Sequence, residues 1–240
     1  MITVIASETG GALDSVLAEN LAVLCRRAGR RVLLVDATPE QACRGWARAR
    51  AATHLRPLAP VLGLRGMGFG ERLAREGALA SMRRHDVLVG AGGCDSPECR
   101  SALLAAQLAV VPIAVRDADV GAHYRLIARL NAARMFNPDL RVLFVTVADG
   151  AQASRADLAR VRGYALEVMG GRVAAAVLPA AALQPGSCAV GGCACDDGPA
   201  AAGAAFDAFD ALDALRREVF GEGRGGRQAP SCEAEKTVQG

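Results

Sequence analysis

A short apolar run, Ile2 to Ala6, ends in Ser7-Glu8-Thr9-Gly10-Gly11, and Asp14 to Arg27 then places apolar residues at Val16, Leu17, Leu21 and Leu24. The first segment has the composition of a buried strand and the second has the spacing of one helix face, so the glycines mark a tight turn between them. Gly29 stops the helix, and Arg31-Val-Leu-Leu-Val-Asp36 is a second apolar strand that ends in a carboxylate. Two strands joined by one helix must lie parallel, with the helix crossing a face of the sheet they share.

The alternation continues along the chain. Helical patterns over Gly45 to Arg56 and Gly70 to Arg84 flank a Pro- and Gly-punctuated stretch, Pro57 to Gly68. A strand over Asp86 to Gly90 leads into the loop Ala91 to Pro97 and a helix over Glu98 to Gln107. Strands at Leu108 to Val115, Arg141 to Val147 and Arg172 to Leu178 are separated by helices at Val120 to Met135 and Arg155 to Met169. The expected fold class is α/β: a doubly wound, mainly parallel sheet with helices on both faces, in three layers. Ligands on such sheets bind at the carboxyl ends of the strands.

Phe206 to Phe220 sets Phe206, Phe209, Leu212, Leu215 and Val219 against Asp207, Asp210 and Asp213, the pattern of an amphipathic helix packed on the sheet. Its acidic face argues against an anionic membrane surface. From Gly221 to Gly240 the apolar pattern stops, so residues 1–220 are expected to form one domain and 221–240 a disordered tail.

With 240 residues, 52% of them hydrophobic, the chain can bury one substantial core. A net charge of +3 allows weak, non-specific contact with DNA and falls short of a dedicated nucleic-acid domain. No run approaches the roughly 20 apolar residues needed to span a bilayer, and no secretory leader opens the chain, so a cytoplasmic protein without membrane insertion is expected. One further count matters more. The only lysine is Lys236, in the tail, so chemistry that needs a lysine in the core is excluded.

The turn at Ala6-Ser-Glu-Thr9-Gly10-Gly11-Ala12-Leu13-Asp14-Ser15 resembles the deviant Walker A loop, K-G-G-x-G-K-[ST], of the ParA/MinD family of partition and positioning ATPases. The second strand with Asp36, Pro39, Gln41 and Trp46, the run from Asp95 to Ala106, then Val111-Pro112 and Asp119, extend the resemblance through most of the chain. It implies a P-loop fold, dimerisation, and a role in plasmid or chromosome segregation or in placing a localised complex in a bacterial cell. It also implies a nucleotide site at Gly10, Gly11, Asp14, Ser15 and Asp36.

The departures fall on the chemistry of that site. A P-loop cradles phosphates with backbone N–H groups, neutralises them with lysine and holds magnesium with a hydroxyl. Asp14 stands at the position of the P-loop lysine, Thr9 at that of the signature lysine, Leu13 at a glycine and Gly90 at the Walker B-like aspartate. A carboxylate facing a γ-phosphate costs several kcal/mol relative to lysine at intermediate dielectric, on the order of 4 kcal/mol. ATPase activity is therefore expected to be absent, and no cofactor is expected, with ATP and Mg²⁺ entering only if the altered loop still binds them. Asp36 remains as a magnesium- or water-positioning carboxylate should the site be active.

The leading expectation is a catalytically degenerate scaffold, either a homodimer or a heterodimer with a related ATPase or an adaptor protein. An active ATPase whose arginines or partner replace the lysines is the alternative. A third reading is a thiolate metal or Fe–S relative, with Cys188, Cys193 and Cys195 in C-x4-C-x-C spacing and Cys94 on the loop after the third strand. That spacing matches no common zinc or iron–sulfur pattern, and free surface thiols are the simpler expectation. His54, His85 and His123 are scattered and read as packed or solvated. Arg26, Arg27, Arg30 and Arg31 sit where cations offset a helix dipole.

Overall fold

The computed structural model describes residues 1–121, 123–149, 153–184, 190–196 and 204–221. The tail expected over 221–240 and Cys188 lie outside them, apart from Gly221. In chain order the elements are β1 (Ile2–Ser7), α1 (Ala12–Arg27), β2 (Val32–Asp36), α2 (Ala42–Ala52), β3 (Val61–Gly63), α3 (Phe69–Met82) and β4 (Asp86–Gly93). They continue as α4 (Pro97–Ala105), β5 (Leu108–Ala114), α5 (Tyr124–Phe136), β6 (Arg141–Ala148), α6 (Arg155–Leu166), β7 (Gly171–Pro179) and α7 (Ala204–Phe220).

The strands form one seven-stranded sheet in the order β3-β2-β4-β1-β5-β6-β7. Every pairing is parallel, with Ile5 opposite Gly90 on one side and Val110 on the other. Strands buried on both faces read as continuous apolar runs, which is why β1, β2, β5 and β6 stand out in the sequence. One face carries α3, α4, α5 and α6 over a core that includes Leu73, Leu103, Leu126 and Phe144. The other carries α1, α2 and α7 over Leu17, Leu21, Trp46 and Leu212. The architecture is the three-layer α/β fold expected.

Two boundaries differ from the sequence reading. The helix expected over 45–56 begins at Ala42 and stops at Ala52, where His54 takes a left-handed conformation at φ 58° and Leu55 N–H closes on Arg50 O at 3.1 Å. Within the punctuated stretch, Val61–Gly63 forms the edge strand β3, paired only with β2. Three residues are too few for a periodic signal.

α7 lies where expected, against β7 and α1, with Leu212 and Leu215 buried and Asp207 and Asp210 outward. Among the described residues, no helix is long and apolar enough to cross a membrane.

Candidate functional site

The strand carboxyl ends bring together the turn after β1, the segment after β2 and the loop after β4, as the topology requires. Gly10 has φ +74°, and its α-carbon lies so close to the β4 loop that an added Cβ would meet Gly93 N at 2.4 Å and Gly92 C at 2.9 Å. Gly93 is equally confined, since a Cβ there would lie 2.8 Å from Thr9 O. The two loops thus pack backbone to backbone, which only glycine permits. Gly10→Ala should cost about 1–3 kcal/mol from backbone strain, before any cost of the displaced loop. The thermal midpoint of the variant checks it.

Gly11 is the N-cap of α1 and offers no side chain to the first turn. The helix N-terminus therefore keeps unpaired N–H groups at the loop, the feature that attracts anions in phosphate sites. Asp14 in that first turn points away from solvent: it is 1% exposed. Ser7 Oγ donates to Asp14 Oδ2 at 2.6 Å, and Gly10 N–H donates to Ser7 Oγ at 3.0 Å. Asp14 Oδ1 is buried without a hydrogen-bond partner. Burial pushes the carboxyl up to about 7 from the ordinary 3.8, with the Ser7 hydrogen bond opposing it.

This changes the electrostatic expectation. Asp14 is not a bare carboxylate set against the ligand space. It is a buried acid, half neutral near pH 7, that draws a serine and a loop N–H inward.

Above the loop is a cleft of about 650 Å³ whose walls include Ser15, Gly10 and Gly11. Its charged lining is Glu8, Glu40, Asp95 and Glu98 against Arg65 and Arg125. Arg125 is engaged with Glu8 at 3.1 Å and Asp95 at 3.5 Å, and Arg129 also holds Asp95, at 2.9 Å. Glu8 Oε2 accepts Leu126 N–H at 2.8 Å in the first turn of α5, so the loop is pinned across the site. A hydrogen bond from Gly66 N–H holds the Glu98 carboxyl below its usual range. The lining is acidic on balance.

Asp36 is fully buried. Its Oδ1 accepts Thr38 N–H at 3.1 Å and the Thr38 hydroxyl at 2.7 Å, and its Oδ2 accepts Arg44 N–H at 3.1 Å. Arg44 lies in the first turn of α2, whose N-cap Gln41 supplies no side-chain bond. Asp36 thus serves as the cap that this helix otherwise lacks.

No family profile matches the chain, and neither does any curated protein. Solved structures do match. MinD, a cell division protein from Aquifex aeolicus, superposes with a TM-score of 0.62 at 15% identity, covering 92% of this chain and 97% of that one. Apo McdA from Cyanthece gives 0.60 at 14% identity over 89% and 98%, and a ParA family ATPase from Chlorobium tepidum gives 0.57 at 13% over 90% and 96%. The chain has the ParA/MinD fold.

On the ParA/MinD fold the expected residues Gly10, Gly11 and Ser15 line one cleft, whereas Asp36 is buried behind its Thr38 wall and Asp14 turns into the protein. Sequence reasoning missed Ser7, Glu8 and Arg125. A carboxylate inside a glycine turn was the one available signal for Glu8; the Ser7–Asp14 bond had none.

The cysteines are brought together only in part. Cys94 belongs to the core under α4 and α5, whereas Cys193 and Cys195 pack on the opposite face against α1 and α2, so they cannot share a metal. Among the described residues no group of three ligands is arranged to hold a metal, and all six described cysteines are buried rather than on the surface. Burial pushes the Cys94 thiol up to about 11, and contact with Cys195 together with burial raises Cys193, so both stay protonated at neutral pH. His123 packs edge-on to Tyr164 at 5.7 Å, as expected of a packed histidine.

Proposed function

We propose that this chain is a ParA/MinD-like protein without ATPase activity, acting in the cytoplasm as a binding scaffold in positioning or partition. It works as a homodimer or beside a related ATPase or adaptor. The observation that carries the reading is the closed chain Gly10 N–H to Ser7 to Asp14, which fills with internal bonds the place where a lysine would reach for phosphate. The residues present do not fit magnesium-ATP in the pose of an intact loop. Asp36 has its oxygens committed to Thr38 and Arg44, and the cleft lining is acidic. The scaffold role draws on the company this fold keeps, which includes the MinC:MinD cell division protein complex of Aquifex aeolicus.

Calorimetric titration with magnesium-ATP and magnesium-ADP tests the reading. The wild type should give no binding heat, and a Thr9→Lys, Leu13→Gly, Asp14→Lys variant should bind. Tight binding by the wild type would sink it in favour of the second reading, an ATPase that uses arginine. Arg65 is the observation on that side: it lines the cleft and, among the described residues, pairs with no carboxylate in a salt bridge.

A further inference from the structure

At the amino ends of the strands, opposite the glycine loop, the fold joins two basic connections that lie far apart in sequence. Arg30 and Arg31 lead from α1 into β2, and Arg83, Arg84 and His85 lead from α3 into β4. Because Val32 pairs with Asp86, the two connections run side by side. They surround a cleft of about 630 Å³ that Met1 and Phe220 also line. We infer that this cleft binds a compact oxyanion carrying two or more phosphate or carboxylate groups.

Charge decides first. Arg30 is a fixed wall: it grips Asp86 Oδ2 through Nε at 3.1 Å and Nη2 at 2.8 Å, and its guanidinium lies over the Phe220 ring at 5.8 Å. Arg31, Arg83 and Arg84 are exposed, and among the described residues none has a carboxylate within salt-bridge range. The carboxyl ends of α1 and α3 meet the same cleft, and each helix end offsets about half a charge. Four guanidinium groups and the Met1 ammonium, 3.6 Å from Asp86 Oδ1, against that one carboxylate and two helix ends leave about three positive charges unanswered. An anion of matching charge completes the site, and guanidinium groups hold such anions through paired, charge-assisted hydrogen bonds.

Shape selects the class of ligand. The volume falls within the range of small-molecule pockets, about 300–1,000 Å³, and Met1 and Phe220 supply its apolar lining. The backbone adds an independent mark. Arg84 sits at φ 56° just past α3, the left-handed position that Gly29 fills at φ 72° past α1. The chain accepts an unfavourable conformation and presents a guanidinium there. The site is remote from the glycine loop, so the inference stands or falls apart from the proposed lack of ATPase activity.

The test is calorimetric titration of the full chain with inorganic pyrophosphate, with citrate and with a short DNA duplex, at low and at physiological salt. The comparison is an Arg83→Ser, Arg84→Gly variant. Glycine relieves the left-handed position, so the variant should melt no lower than the wild type, and a loss of binding then reports on charge and not on folding. The expected result is saturable, salt-sensitive binding of pyrophosphate, weakened about tenfold or more in the variant. Citrate binding would extend the class to carboxylates, and its absence would narrow it to phosphates. Three outcomes overturn the inference: no saturable heat with either anion, binding that the variant leaves unchanged, or duplex binding without pyrophosphate binding.

Discussion

Replacing Asp14 by asparagine should stabilise the protein at pH 8 and leave it nearly unchanged at pH 4. Burial raises the folded-state value to about 7 from the ordinary 3.8, so between those values the folded state holds a proton that the unfolded chain has released. The native state therefore loses stability as pH rises through that window, and the loss is complete above about 7. Three units at about 1.4 kcal/mol each put the upper limit on the order of 4 kcal/mol. Asparagine keeps an acceptor for Ser7 Oγ and carries no charge, so it removes that penalty. In a chain of this size each kcal/mol moves the thermal midpoint by about 2–4 °C. The variant should therefore melt several degrees above wild type at pH 8, with the gap closing towards pH 4. A gap that does not change with pH would mean that Asp14 is ionised and solvated, and the inward-turned loop would be wrong.

The largest loss is expected from Arg50→Met. Arg50 is fully buried, and all of its N–H donors are used. Nη1 and Nη2 each reach an Asp196 oxygen at 2.7 Å, Nη1 also reaches Gly191 O at 3.0 Å, and Nε and Nη2 reach Pro57 O and Arg56 O. This guanidinium ties the segment Val190 to Asp196 to α2, helped by Trp46 Nε1 on Gly192 O and by Arg27 on Asp196 at 3.0 Å. Methionine leaves Asp196 with Arg27 alone and takes the donor from the carbonyls of Arg56, Pro57 and Gly191, a loss of about 3 kcal/mol, the low end for a broken buried pair. The denaturation midpoint should fall accordingly with an unchanged slope. Cys193 and Cys195, 5% and 0% exposed in the intact fold, should become reactive to a thiol reagent. If those thiols stay silent in a destabilised variant, the segment is held by something other than Arg50.

Layer order, strand identity and most helix positions were legible because parallel strands bury both faces and helices bury one, and each leaves its own period. β3 was not legible, because three edge residues between prolines and glycines carry no period. The candidate site divides on the same line. Which residues depart from a nucleotide loop could be read directly, since Asp14, Leu13 and Thr9 are identities. Where Asp14 points could not, because its direction depends on Ser7 across the turn and on burial by neighbours distant in sequence. The arginines make the point from the other side. Arg30 and Arg31 alone look like cations at a helix end, and only the pairing of β2 with β4 sets them beside Arg83 and Arg84. The cysteine segment misled for a similar reason: glycines around Cys193 suggested a loose surface loop, and at Gly191 a close approach to the Arg50 backbone is what glycine allows.

The place of β1 at the centre of the sheet sets a schedule for synthesis. Its partners are β4 and β5, so the pairs Ile5 with Gly90 and Ile5 with Val110 join residues separated by most of the first half of the chain. At about 5–20 residues per second, the first strand emerges several seconds before either neighbour exists. During that interval an apolar strand followed by a helix has no sheet to close upon. Assembly must begin with the central strands arriving in an order unlike their order in space, a route that favours slow closure and exposes unpaired edges to other chains.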